Sequence, residues 1–303
     1  HLNCLPHLDA WQAAHSRQGR PVWVMEATLK GGGGLTSTTK LRLLKPTLLF
    51  NARHHANELN TTNSVIRAAW HLAATEKGRK LLKHVNVAWI PLENPDGVAT
   101  FEELLPEARD HKLHAARYNA LGAEYYSEYF ARNPRFPEAQ AKRRLWQRWF
   151  PQVMVDHHGV PCHEWDQPFS GYAPFRFREF WIPRTFVFAY IPFVEDTSHP
   201  KHQTAVHFAR LLSRAMSKEE EIVALNRELV ARYQRYARGP EPKVFPLSAG
   251  EALLVLPPVR RIKKTNFAVR FPQVTKTEIV VEVPDEGASG TYLELCIKAH
   301  EKI

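Results

Sequence analysis

Cysteine is scarce in this chain: three in 303 residues, Cys4, Cys162 and Cys296. An odd, sparse set argues against a disulfide framework, leaving at most one bridge. No Cys-x-x-Cys pair accompanies Cys162, which reads as a plain buried thiol. Also missing is any apolar run of the roughly 18–20 residues that a membrane-spanning helix needs. Internal repeats and low-complexity tracts are absent. The chain begins at His1, without an initiator methionine or a leader-like segment, and is expected to be a processed or excised polypeptide. No glycine run ends in Lys-Ser or Lys-Thr, which excludes a phosphate loop. The run Gly31 to Gly34 reads instead as a hairpin tip between strand-like segments at 21–29 and 40–44.

Acidic residues are outnumbered, 31 Asp and Glu against 41 Lys and Arg, for a formal charge of +10. Such a field steers anionic partners toward the surface. Yet much of the excess lies in scattered clusters read as surface, Lys142-Arg143-Arg144 and Arg260-Arg261-Ile262-Lys263-Lys264. With no zinc knuckle or nucleic-acid-binding aromatic motif beside them, no nucleic acid is expected. The chain is 44% hydrophobic and 24% charged, an ordinary globular balance, and long enough for one large domain or two modest ones.

What is present alternates between short apolar runs and helical periodicities. Strands are expected at 22–27, 46–51, 85–91, 152–156, 185–191 and 278–283, and helices at 61–75, 139–150, 201–216 and 219–236. That alternation predicts an α/β fold: a central mixed, mostly parallel sheet flanked by helices on both faces. A single domain over residues 1–303 is expected. The aromatic and proline-rich stretch at about 161–273, with Phe169, Tyr172, Phe175, Phe177, Phe180, Trp181 and Tyr190, reads as an elaboration over one end of the sheet.

Polar motifs follow several of the strand-like runs. Asn51-Ala-Arg-His-His-Ala-Asn-Glu58 follows Thr47-Leu48-Leu49-Phe50. A histidine and a carboxylate three residues apart, as in His55-x-x-Glu58, can hold one divalent ion from one side. Catalytic zinc needs a third protein ligand and an open position, and Asp156-His157-His158-Gly159 offers one at another strand end. Glu93-Asn94-Pro95-Asp96-Gly97 and Glu282-Val283-Pro284-Asp285-Glu286-Gly287 end two further strands. Ligands in open α/β sheets gather beyond such ends.

With these motifs in order, from about residue 19 to 295, the chain resembles the carboxypeptidase A-like zinc carboxypeptidases, as an atypical member. His55-Ala-Asn-Glu58 matches the family's first ligand pair, Asn94-Pro-Asp-Gly97 a family turn, Asp156-x-His158-Gly159 the third-ligand segment, and Glu282 with Asp285 and Gly287 the strand end of the general base. The gap from His158 to Glu282 is long for the family and implies an insertion. The resemblance implies zinc held by His55, Glu58 and His158, with His54 and His157 as adjacent alternatives. His55 is preferred because only it has Glu58 at the family spacing. His158 is preferred because it directly precedes Gly159, and in an extended chain His157 points the other way. Asp156 reads either as a carboxylate orienting a ligand imidazole or as a turn cap.

By the same resemblance Glu282 is the general base, with Glu278, Glu286 and Glu195 as rivals. Arg117, in Arg117-Tyr-Asn119-Ala-Leu-Gly122, is the catalytic arginine that stabilises the developing oxyanion, and Asn57 is a substrate contact. One departure stands out. Where the family's exopeptidases carry an Asn-Arg pair that grips a terminal carboxylate, this chain has Tyr126 and Ser127. A hydroxyl does not replace a bidentate guanidinium. Either another arginine (Arg132, Arg176 or Arg178) reaches in, or the substrate is not gripped by its C-terminal carboxylate. The expected function is therefore zinc-dependent hydrolysis of amide bonds in a peptide or acyl-amino substrate, not simple C-terminal trimming. The alternatives are deacylation of a small acylated amine, or a non-catalytic binding module of the same fold. Secretion or a periplasmic place is favoured over the cytoplasm.

Overall fold

The computed structural model describes residues 5–29, 37–107, 116–160, 185–236, 253–258, 260–285 and 288–303. Within them lies one eight-stranded mixed sheet of order β1-β2-β4-β3-β5-β8-β6-β7. Its strands are β1 (Leu8–His15), β2 (Pro21–Ala27), β3 (Thr47–Asn51), β4 (Asn86–Ile90), β5 (Val153–Val160), β6 (Phe188–Tyr190), β7 (Leu254–Leu256) and β8 (Thr277–Pro284). The central run β4-β3-β5-β8 is parallel throughout; β1-β2, β2-β4 and β6-β8 pair antiparallel, and β7 runs parallel to β6. The mixed, mostly parallel sheet expected from the sequence is the one found.

Ten helices are described: α1 (Thr38–Leu44), α2 (Leu59–Ala74), α3 (Glu76–Leu82), α4 (Pro95–Leu104), α5 (Ala139–Trp149), α6 (His202–Met216), α7 (Glu220–Tyr236), α8 (Arg260–Thr265), α9 (Phe267–Arg270) and α10 (Gly290–Glu301). Strand alternation sorts the core into two faces. Leu49 and Met154 point toward α5 and α9, packing with Leu145, Trp149 and Phe267. Val155, Ile279 and Val281 point the other way, against Ala205 and Ala209 of α6, Ile222 of α7 and Cys296 and Ala299 of α10. The middle strands are buried on both faces, which is why they read as near-continuous apolar runs.

Three local readings are corrected. Residues 40–44, expected as a strand, belong to α1, which starts where the Ser37 side chain accepts the Lys40 N–H. Leu41 is buried in the core while Leu43 and Leu44 are exposed, so helical spacing wins over strand alternation. The hairpin across Gly31 to Gly34 therefore has no second strand, and those glycines lie outside the described residues. The strand expected at 152–156 continues to Val160, because β8 supplies partners along its whole length. Lys142, taken as part of a surface cluster, is only 1% exposed. It sits on the stripe of α5 that carries Ala139, Leu145 and Trp149 into the core.

The described part of the 161–273 stretch lengthens the sheet beside β8 with β6 and β7 and lays α6 and α7 on one face. Its aromatic cluster from Phe169 to Trp181, with Cys162, Arg176 and Arg178, lies outside the described residues. Cys296 is buried in the core. No helix among the described residues is long and apolar enough to cross a membrane.

Candidate active site

The overrun of β5 and β8 past β3 creates the site. β3 last pairs at Asn51 with Asp156, while β5 continues beside β8, where His158 stands in register with Glu282. Alternation along β5 puts Asp156 and His158 on one face and His157 on the other. There His157 meets His300 of α10, Nδ1 to Nδ1 at 2.8 Å.

The chain leaving β3 turns sharply at Arg53, which has a left-handed φ of 60°. The Arg53 guanidinium stabilises the turn by donating Nε–H to the Ala56 carbonyl at 2.6 Å. His55 and Glu58 are thereby delivered above the end of β3. Glu58 stands at the N-terminal end of α2 but does not cap it with its side chain. Asp285, just past β8, does so instead, accepting the Leu59 and Asn60 N–H groups at 2.9 Å each. This cap from a distant part of the chain leaves the Glu58 carboxylate free to face the histidines. Gly159 lets the two strand ends and α2 approach: a Cβ there would meet Asp285 Cβ at 2.6 Å and Glu58 Cγ at 3.1 Å. Asn94, Pro95 and Gly97 serve the same packing. Asn94 accepts the Gly97 N–H at 3.0 Å, Pro95 opens α4, and a Cβ on Gly97 would strike Ala56 Cβ at 2.6 Å.

His55, Glu58 and His158 offer three ligand atoms within 4.8 Å of one another, all on buried residues. His55 Nδ1 lies 2.7 Å from Glu58 Oε1, His158 Nδ1 3.3 Å from Glu58 Oε2, and the two Nδ1 atoms are 3.1 Å apart. Glu58 has no exposed surface, and its Oε2 has no hydrogen bond of good geometry. A zinc ion with nitrogen ligands at ~2.0–2.1 Å in tetrahedral array spaces its donor atoms about 3.3–3.4 Å apart. The set fits such an ion. Two ring nitrogens converging with an unsatisfied buried carboxylate otherwise have at most one proton between them.

Electrostatics follow the same lines. Burial pushes the Glu58 carboxyl up, but His55 and His158 outweigh it and hold Glu58 well below the usual carboxylate range. Burial, then Arg117, holds His55 below its ordinary value. Asp156 and Glu58 more than offset burial at His158 and raise it well above. Glu282, half-buried, is pushed up to about 8 by burial first; His158 and Arg117 pull it down, while Glu58 and Asp156 add to the rise.

A ring of partners holds these groups. Glu124 sits 3.3 Å from His55 Nε2 and 3.4 Å from His54 Nε2. His54, with Glu124, makes a second candidate ligand group that shares His55. His54 also lies 3.1 Å from the Tyr129 hydroxyl and 3.4 Å from Glu93. Burial lowers His54, yet Glu124 and Glu93 prevail and raise it to about 9. Arg117 bridges Glu58 at 3.4 Å and Glu124 at 3.8 Å, placing its guanidinium over the centre. Asp156, within β5, lies 3.5 Å from His158 Nε2 and accepts hydrogen bonds from Asn51 and Lys142.

The remaining expected residues are placed less centrally. Asn57 is fully buried in the turn between His55 and Glu58. Tyr126 lies in a single 3-10 turn, Tyr126–Glu128, with its ring 5.7 Å from that of His54, and Ser127 is exposed. Of the rivals to Glu282, Glu278 is buried against Lys142, Glu195 pairs with Lys263 on the surface, and Glu286 lies outside the described residues. Arg132 is exposed, and among the described residues no hydrogen bond or ion pair joins it to the cluster. Glu124, Lys142 and Asp285 were given no role from the sequence. Lys142 did carry a signal, its place on the apolar stripe of α5. The other two act through the fold alone.

Comparisons with known proteins give the family and the fold. Residues 7–180 match the family described as zinc carboxypeptidase. The match takes in His55, Glu58, Arg117 and His158 and stops short of Glu282. Among solved structures, a metallo-carboxypeptidase from Burkholderia cenocepacia superposes with a TM-score of 0.57 at 14% identity, covering 99% of this chain and 64% of that one. A metallo-carboxypeptidase from Pseudomonas aeruginosa, solved with (2-guanidinoethylmercapto)succinic acid, gives 0.54 at 14%, with 99% and 64% covered. At such identity the likeness shows the fold. The chain spans about two thirds of the length of these structures. No curated protein sequence matches it.

Proposed function

The chain belongs to the zinc carboxypeptidase family, and on that premise we propose that it is a zinc-dependent hydrolase of amide bonds with Glu282 as general base. The observation that carries this reading is the convergence of His55, Glu58 and His158 within 4.8 Å, with Glu282 in register beside His158. Zinc held by these three residues would supply Lewis acidity, acidifying a water and polarising a carbonyl.

The residues themselves do the rest. A cation held there would offset the negative charge of Glu58, which raises the neighbouring Glu282 carboxyl. Glu282 takes the proton of the attacking water at its carboxylate and passes it to the departing amine nitrogen. Arg117 donates N–H groups to the oxygen that gains charge as the amide carbonyl is attacked. Asp156 and Glu124 keep the imidazoles of His158 and His55 turned with Nδ1 toward Glu58.

The substrate is a peptide or acyl-amino compound not gripped by a C-terminal carboxylate. Tyr126 and Ser127 bring no guanidinium, and Arg132 is exposed. Metal analysis of the purified protein should give one zinc per chain. Glu282→Gln should keep that zinc and lose turnover on an acyl-amino panel. Full activity in that variant would sink the mechanism. Strong preference for free over blocked C-termini would sink the substrate assignment. Turnover of small acylated amines alone would favour the deacylase reading.

A further inference from the structure

A buried lysine lies behind the candidate centre. Lys142 reaches from α5 beneath the strand that carries His158 and is 1% exposed. Its Nζ donates to Asp156 Oδ2 at 2.8 Å, and Glu278 Oε1 lies 3.1 Å away. The ammonium also lies 4.8 Å from the centre of the Tyr129 ring and 5.8 Å from that of Phe267. Two carboxylates and two aromatic faces thus enclose it.

Packing does not explain such a residue. An apolar side chain of similar volume fills a core as well, and replacing a buried ion pair by one is often neutral or stabilising. The consequence of Lys142 lies in what its partner faces. Asp156 has one oxygen fixed by Lys142. Its other oxygen accepts Asn51 Nδ2–H at 2.7 Å and lies 3.5 Å from His158 Nε2. Asn51 is itself held by Glu93 Oε2 at 2.6 Å. Asp156 is therefore pinned from two sides before it meets the imidazole.

We propose that Lys142 is a positioning residue for the metal centre: it anchors Asp156 so that Asp156 holds the His158 ring with Nδ1 turned toward Glu58 and His55. This rests on the metal-centre reading above. Removing Lys142 leaves Asp156 held by Asn51 alone, and the third ligand loses part of its preset orientation. Losing an outer partner of a ligand of this kind typically weakens metal binding by ~10–100-fold.

The test measures zinc affinity by competition with a chromophoric chelator, and the visible spectrum of the cobalt-substituted protein. Lys142→Met should bind zinc at least about tenfold more weakly and shift the cobalt bands. Glu278→Gln removes the other carboxylate from the same lysine and should leave both readouts as in wild type. Where Lys142→Met alone does not fold, Lys142→Met/Glu278→Gln, which keeps the buried charge balanced, is read by the same criteria. Unchanged affinity in the lysine variant overturns the proposal. So does an equal loss in Glu278→Gln, which would mark general loosening of the core. Wild-type protein that binds no zinc overturns the centre itself, a separate failure visible before any variant is made.

Discussion

Replacing Gly159 by alanine tests whether the site depends on the close approach of β5, β8 and α2. The added Cβ would sit 2.6 Å from Asp285 Cβ and 3.1 Å from Glu58 Cγ, so those neighbours must move. Both belong to short, buried connections without a flexible end to swing aside. Overfilling a packed site of this kind costs about 1–3 kcal/mol. Displacing Asp285 also uncaps α2, whose Leu59 and Asn60 N–H groups it accepts, at roughly 0.5–2 kcal/mol. A total near 2–4 kcal/mol is expected. For a chain of 303 residues, with an unfolding entropy of roughly 0.6 kcal/mol/K, that lowers the melting temperature by about 3–6 °C. Glu58 moves with Asp285, so zinc affinity should fall by at least about tenfold, a loss that ordinary destabilisation would not produce. Differential scanning calorimetry and chelator competition on the same preparation measure both. Wild-type melting together with wild-type affinity would refute the close-packing argument.

Further outcomes follow from other groups. Glu124→Gln keeps the shape but weakens the acceptor facing His55 and His54 at 3.3–3.4 Å; zinc should dissociate ~10–100-fold more readily, read by chelator-driven release. Arg117→Ala should lower kcat by ~10²–10³ and leave zinc content unchanged in elemental analysis. The pair His157 and His300 should make stability depend on pH. Burial holds His157 down at about 4 and His300 well below its ordinary value, so the folded state keeps both neutral. The unfolded chain protonates them near pH 6.5, so their contribution is complete above that pH and is lost as pH falls from there toward 4. The slope is about 1.4 kcal/mol per pH unit for each imidazole. Urea titrations between pH 7 and 5 should show this fall, flattened in His300→Gln; an identical slope in that variant would contradict the assignment.

Much of the fold was legible because the parallel strands β3, β4, β5 and β8 are buried on both faces and have to be written as apolar runs. The spacing His55-x-x-Glu58 and the segment Asp156 to Gly159 were legible for a similar reason. Zinc ligands come from few residue types, histidine, cysteine and the carboxylates, and strand ends announce where they face. Residues 40–44 misled because a short apolar run does not distinguish strand from helix. Lys142 misled because two arginines follow it, and a basic triplet reads as surface until the helix phase is counted. Glu124 and Asp285 gave no sign because each acts on a partner far along the chain, 69 residues away at His55 and 225 at Asn60.

Chain chemistry alone therefore determined which residues could ligate, which strands had to be central and which family pattern the motifs follow, since all three depend on side-chain type and short spacings. Register and packing decided the rest. Pairing of β5 with β8 set Glu282 beside His158. Continuation of β5 past β3 left room above Asn51 for the ligand turn. The Asp285 cap freed Glu58 for the histidines. Those are relations between segments distant along the chain, and only a closed tertiary structure fixes them.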